Sequence, residues 1–247
     1  MAEAALQVPD PSQIAAPSGV FPIRIRKDEL HNKFGGGLPK NGFMLVEGRN
    51  ALGKSIIAQR FCYGLVCHGV SVTYVSTELS LPSFVNQMKS LQYDINDALV
   101  TGQLNFVSVF PYVGDTNVGR SVLSRLRMEE LFHSDVIIFD SLNGWIVPDD
   151  VSLKEAFEVI KFFRKVTSQD KSIIFTIDPE QYDNTYSTLL KSVSEVYMKL
   201  GTVERFGTVT KLIRVERFNG AVSDVEENIA FRVRAGVGIV MEITSAS

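Results

Sequence analysis

Eight consecutive residues, Gly48-Arg49-Asn50-Ala51-Leu52-Gly53-Lys54-Ser55, fit GxxxxGK[ST], the spacing of a phosphate-binding loop. Such a loop turns its backbone N–H groups inward around phosphate oxygens, and the helix after it adds its positive N-terminal end. Lys54 has the reach and the charge to meet β- and γ-phosphates, and the Ser55 hydroxyl suits Mg²⁺. A phosphate-bearing nucleotide with Mg²⁺ is therefore the expected ligand. A metal held there needs a carboxylate opposite the loop. Asp140, ending Val136-Ile137-Ile138-Phe139-Asp140, supplies one after an apolar strand, at the strand end where open α/β sheets bind ligands. Ser55 and Asp140 are thus the expected metal-binding pair. Glu78 closes the strand-like run after the loop's helix and is the expected catalytic carboxylate, placed to orient or deprotonate a water. The competing assignment for Glu78 is an acidic residue favouring the N-terminal end of the next helix. Thr176 and Asp178, ending a later strand, are read either as γ-phosphate sensors or as a plain strand terminus.

These residues need a sheet whose strand ends converge, and the periodicity predicts one. Residues 43–47 form a short apolar strand, followed by a glycine turn and an amphipathic helix over 54–68. Strands are expected at 71–77, 104–110, 135–139 and 171–177, the third apolar throughout after its first residue, as in a strand buried on both faces. Helices are expected at 81–91, with Ser80 as N-cap and Pro82 in the first turn, and at 117–133 and 152–166. After Lys199 the rhythm changes to shorter strands at 208–217, 229–233 and 238–243. The expected fold is α/β: a mainly parallel, doubly wound sheet with an antiparallel C-terminal extension. Residues 23–247 then make one ATP-binding domain. Residues 1–22, rich in Ala, Pro and Ser, are expected to be a flexible tail, since they offer no periodic apolar face.

Composition sets the outer bounds. The chain has 247 residues, 45% hydrophobic and 21% charged, enough for a substantial core. Its formal charge of -3 does not favour non-specific binding to nucleic acid, and no nucleic-acid partner is expected. Cys62 and Cys67 are too few for a disulfide framework and read as reduced, buried packing residues of a cytoplasmic protein. No run of about 18 apolar residues marks a membrane span, so membrane contact is expected only through partners. His31, His68 and His133 form no metal pattern, and Trp145 alone decides nothing.

Asp28-Glu29-Leu30 and Gly35-Gly36-Gly37-Leu38-Pro39, just before the loop, resemble the opening of KaiC-like proteins in the RecA superfamily. Asp140-Ser141-Leu142 resembles that superfamily's Walker B ending, and Ser76-Thr77-Glu78 its catalytic-glutamate strand. Within the group, Asp28-Glu29-Leu30-His31, Gln59-Arg60-Phe61, Val75-Ser76-Thr77-Glu78-Leu79 and Phe84-Val85-Asn86-Gln87-Met88 are most similar to the branch that serves the archaellum (archaeal flagellum) motor. The resemblance spans about residues 24–243. It implies a RecA-like fold that binds ATP with Mg²⁺ and assembles as a homo-oligomeric ring, nominally a hexamer. It further implies partnership with the hexameric motor ATPase, the membrane platform protein and cytosolic scaffold proteins, at the inner face of the membrane. Nucleotide state would then regulate assembly or rotation, with hydrolysis slow or absent. Arg214 and Arg217 are carried by the same resemblance as trans-acting contacts to a neighbour's nucleotide.

Two departures bear on turnover. KaiC proteins often carry two adjacent glutamates, whereas Leu79 follows Glu78 here; and Arg214-Val215-Glu216-Arg217 stands, with different spacing, where KaiC has Lys-Leu-Arg. The alternative function is an active RecA- or KaiC-type ATPase or autokinase. A DNA-dependent form would need a basic loop tract, and seven basic and five acidic residues between Lys199 and Arg234 read equally well as a solvated sheet edge.

Overall fold

The computed structural model describes residues 19–109, 129–142, 153–181, 184–205 and 207–242. In chain order the named elements are β1 (Val20–Phe21), α1 (Leu30–Lys33), β2 (Leu38–Pro39), β3 (Phe43–Glu47), α2 (Lys54–Cys67), β4 (Val72–Ser76), α3 (Leu81–Ser90), α4 (Asn96–Val100) and β5 (Leu104–Ser108). A short 3-10 turn, Glu129–Phe132, precedes β6 (Val136–Asp140), α5 (Leu153–Thr167), β7 (Ser172–Ile177) and α6 (Asn184–Val193). The chain then runs through β8 (Val196–Arg205), β9 (Thr208–Phe218), β10 (Asn228–Arg234) and β11 (Gly238–Met241).

The described residues form a nine-stranded sheet in the order β11-β10-β9-β8-β3-β7-β6-β4-β5. From β8 to β5 every neighbouring pair is parallel, and from β8 to β11 every pair is antiparallel. The expected fold class is what the chain adopts. Every residue of β3, β4, β6 and β7 is buried, because helices cover both faces of the parallel half. One face packs α2 and α3 through Ile57, Phe61, Phe84 and Met88. The opposite face packs α5 and α6 through Phe163 and Leu190 against Phe43, Phe139 and Phe175 of the sheet.

Helix α2 differs from its expected amphipathic pattern, being buried nearly all round. Its outer side faces the N-terminal segment, where Ile23, Ile25, Leu30 and Phe34 join the same core and the Phe34 ring lies 5.4 Å from Phe61. Arg60, with no exposed side-chain surface, forks onto Asp28 through Nε at 2.6 Å and Nη2 at 2.7 Å, and onto the Ile23 carbonyl at 2.8 Å. Gly64 makes this possible: a Cβ there would stand 2.5 Å from the Ile23 oxygen and 2.7 Å from Arg60 Nη1.

Four further differences from expectation have physical causes. Val20 and Phe21, assigned by composition to the tail, pair antiparallel with Leu38 and Pro39 and are buried. Cys67 is exposed, since it occupies the last turn of α2. Helix α6 and strand β8 were not anticipated. In β8, Val196, Met198 and Leu200 face one core and Tyr197 the other, whereas its upper end outruns β3 and pairs with β9 alone, half-exposed, so no single period spans it. Of the helix expected at 117–133, residues 117–128 lie outside the described residues, as does Trp145. Among the described residues no helix is long and apolar enough to cross a membrane.

Candidate functional site

The parallel strands all end on one edge, and the expected residues meet there. Strand β3 delivers Glu47 in register with Ile177 of β7 and Lys199 of β8. The chain then enters the Gly48–Ser55 loop. Gly48 has no room for a side chain: a Cβ would lie 2.9 Å from the Leu200 Cβ. Ala51 and Gly53 take φ values of 65° and 100°, curling the loop so that it feeds directly into α2 with Gly53 as its N-cap. This left-handed turn directs successive amides toward one centre, the geometry that binds anions.

A cavity of about 210 Å³ sits over the loop, bounded by Asn50, Lys54, Glu78, Asp140, Ser141 and Lys211 among others. Lys54, its side chain 10% exposed, rests its Nζ 3.1 Å from the Arg49 carbonyl and 3.8 Å from Asp178 Oδ2. Asp140 is buried and accepts three hydroxyl bonds: Ser55 Oγ at 3.1 Å and Thr176 Oγ1 at 2.8 Å on Oδ1, and Tyr74 OH at 2.7 Å on Oδ2. Burial pushes the Asp140 carboxyl above its ordinary range, the three hydroxyls and Lys54 only partly opposing it. The same surroundings hold the Tyr74 phenol well up, with desolvation first and Asp140 second.

This donor set fits Mg²⁺. A desolvated carboxylate and a hydroxyl are hard oxygen ligands, and the carboxylate's charge is met by hydroxyls rather than by a full countercharge alone. Among the described residues no group of three or more His, Cys, Asp or Glu could hold a metal. The ion would therefore rely on Ser55, Asp140, water and the phosphates, as nucleotide-bound Mg²⁺ does.

Glu78 lies two residues beyond β4, exposed at the cavity rim, while the backbone N–H groups of Glu78 and Leu79 turn back onto Ser76 Oγ at 3.3 and 3.0 Å. Thr77 Oγ1 accepts from the Ser141 N–H at 3.2 Å, tying the Glu78 turn to the chain just past Asp140. Thr176 is committed to Asp140, and Asp178, near Lys54, accepts the Glu180 N–H at 3.0 Å. Arg214 is exposed at the level of Lys199 and hence of Glu47, close to the loop's base in height. Arg217 lies lower, in register with Tyr197 and thus with Leu45, and its Nη1 caps the end of α6 on the Lys191 and Ser194 carbonyls at 2.7 and 3.0 Å. The structure does not bring Arg214 and Arg217 together with the loop of their own chain.

Two site residues are not apparent from the sequence. Tyr74 looks like an ordinary strand aromatic. Lys211, 160 residues beyond Ala51, places Nζ 2.7 Å from the Ala51 carbonyl, and burial lowers its ammonium pKa. Only the pairing of β9 onto β8 brings it to the loop. A larger cavity of about 470 Å³, bounded by Lys33 and by Glu29, Glu226, Glu227 and Glu242, lies elsewhere. Its carboxylates would repel a nucleotide's phosphates, so of the two cavities the smaller is the better suited to a phosphate-bearing ligand.

A family profile described as "ATPase: KaiC" matches residues 24–242. The chain is 32% identical over 226 residues to the archaeal flagellar ATP-binding protein FlaH of Methanocaldococcus jannaschii, covering 91% of this chain and 97% of that one. It is 30% identical to the protein of the same description from Methanococcus voltae, covering 91% and 98%. The crystal structure of the flagellar accessory protein FlaH from Methanocaldococcus jannaschii superposes with a TM-score of 0.84 at 31% identity, covering 91% of this chain and all of that one.

Proposed function

The chain belongs to the KaiC family of ATPases, in the branch of archaeal flagellar ATP-binding proteins described as FlaH, and on that premise we propose that it is a nucleotide-dependent regulator in the archaellum motor. In this reading it binds ATP with Mg²⁺ at Gly48–Ser55 and Asp140. One observation carries it: Ser55, Thr176 and Tyr74 converge on the buried Asp140 carboxylate in the cavity that Lys54 also lines, which supports a phosphate-bound cation there.

The residues divide the work. The loop's N–H groups and Lys54 bind phosphate oxygens; Ser55 and Asp140 hold the cation; the cation neutralises phosphate charge. Hydrolysis is slow or absent. Efficient water activation requires a base fixed against the reacting phosphate, and Glu78 is an exposed side chain with no second glutamate beside it. The nucleotide lies at an open sheet edge, so a neighbouring copy completes its shell, with exposed Arg214 as the cation offered in trans. Arg217, already spent on two carbonyls, takes that role only if those bonds are released. ATP thereby favours a ring, which contacts the motor ATPase, the membrane platform protein and cytosolic scaffold proteins at the cytoplasmic face of the membrane.

Sedimentation or mass photometry with ATP, ADP and no nucleotide tests this, because a ligand shifts assembly only by its differential affinity for the two states. Larger assemblies with ATP are expected. Equal association in all three conditions would leave the nucleotide a static structural ligand.

A further inference from the structure

Both cationic side chains of the phosphate loop, Arg49 and Lys54, are engaged by acids, and the two acids share one turn. Lys54 Nζ lies 3.8 Å from Asp178 Oδ2, and Arg49 Nε lies 2.9 Å from Glu180 Oε1. Asp178 and Glu180 stand where the chain leaves β7, the strand beside the loop's own β3. A 3-10 turn, Pro179–Gln181, organises this segment. Asp178 Oδ1 accepts the Glu180 N–H at 3.0 Å, and the Asp178 carbonyl accepts the Gln181 N–H at 3.1 Å. The root of the turn is tied to the first residue of the loop, since the Gly48 N–H donates to the Ile177 carbonyl at 3.0 Å. Loop and turn therefore start from one point, and the acids of one are held against the cations of the other.

The two pairs differ in weight. The Lys54 and Asp178 side chains are 10% and 4% exposed, so water and salt screen their attraction poorly. Arg49 and Glu180, at 72% and 61%, sit in solvent, where an ion pair contributes little. Asp178 is thus the strong partner and Glu180 a tether. Phosphates need Lys54, and once Lys54 turns to them Asp178 is left as a buried carboxylate beside added negative charge. The turn is the part able to yield, being three residues long with Glu180 and Gln181 exposed.

We propose that Asp178 is an internal competitor for Lys54, seated by the Arg49–Glu180 pair, and that filling the phosphate loop displaces the turn at residues 178–181. This rests on the ATP-binding reading of the site and adds a regulatory contact to it. A contact made only in the ligand-free form lowers affinity by its own free energy, so removing the acid should tighten binding. The direction separates the possible roles of Asp178. A phosphate sensor would add to affinity, a plain strand terminus would leave it unchanged, and a competitor reduces it.

The test combines calorimetric titration of ATP, with Mg²⁺ and in EDTA, with amide hydrogen exchange at Glu180 and Gln181 in the full chain. Asp178→Asn keeps an oxygen able to accept the Glu180 N–H and removes the charge; it should bind ATP about tenfold more tightly in both conditions. Glu180→Gln should tighten ATP about twofold, the scale of an exposed pair, and unchanged or weaker binding there overturns the seating role. In the unaltered protein, ATP should speed exchange at Glu180 and Gln181 as the turn is released. Exchange there unaltered by saturating ATP overturns the proposal, and this arm needs no variant, so it decides should Asp178→Asn fail to fold. Equal or weaker ATP affinity in a folded Asp178→Asn variant likewise overturns it; a loss confined to Mg²⁺ would make Asp178 part of the cation site instead. Either result leaves ATP binding intact. Absence of ATP binding in the unaltered chain would remove the functional reading itself, and the competitor with it.

Discussion

The Ser55 hydroxyl donates to the Asp140 carboxylate across 3.1 Å, although 85 residues separate them in the chain. The first residues of α2 and the end of β6 are brought together because β7 is the only strand between β3 and β6, and α2 lies over that part of the sheet. In the proposed reading, this hydroxyl and carboxylate at the mouth of the loop would hold a divalent cation once a nucleotide supplies the remaining oxygens.

Asp140→Asn should separate metal binding from folding. Burial raises the Asp140 pKa in the folded chain, so between the unfolded and folded pKa values the folded state holds more protons. Its ionisation therefore opposes folding, and stability falls as pH rises through that window. The ligand-free Asp140→Asn variant should melt a few degrees above the parent at pH 7, with the gap closing as pH drops below the window. The same variant should lose Mg²⁺-dependent ATP affinity and keep most of the affinity seen in EDTA. Calorimetry across pH reads the gap, and one that widens in acid would contradict a raised Asp140 pKa.

Asp28 and Arg60 offer a sharper stability prediction. Each is fully buried, and removing one leaves the other's charge unpaired, so Asp28→Ala or Arg60→Met alone should cost about 3–5 kcal/mol. The double variant should cost much less than the sum. Additive losses in urea melts would mean that the pair is not coupled.

Lys211→Met should weaken ATP binding about five- to tenfold with little effect on melting, since it releases the Ala51 carbonyl and frees the loop crest while keeping the aliphatic stem. Lys211→Arg should restore part of the loss. Unchanged affinity in the methionine variant would reduce Lys211 to a surface contact.

Much of this site could be read from residue order. The phosphate loop, Asp140 and Glu78 each combine a residue type with a strand end, and parallel strands place all their C-terminal ends on one edge, so linear position implied spatial proximity. Lys211 had no such cue, because its approach depends on an antiparallel pairing at a register that alternation does not specify. Tyr74 was hidden for a different reason: it sits mid-strand in a mixed β-branched and aromatic run, and only its hydroxyl's bond to Asp140 sets it apart. The burial of α2 was equally unreadable, since the covering segment of residues 23–34 shows no strong period of its own.

Glu78→Gln should bind ATP and support ATP-promoted association as the parent does, losing only the slow release of phosphate. The substitution keeps shape and removes the group able to accept a proton. Phosphate release at the parental rate would place water activation elsewhere, and incorporation of γ-phosphate into the chain would favour the autokinase alternative.

The central claim, that this loop and Asp140 form an ATP–Mg²⁺ site, is tested most directly by calorimetric titration of ATP with Mg²⁺ into the parent and into Lys54→Ala, with circular dichroism on both. Lys54 neutralises phosphate charge and does not belong to the hydrophobic core, so the account predicts saturable binding in the parent, none in Lys54→Ala, and identical dichroism spectra. Parental affinity in a folded Lys54→Ala variant would contradict it.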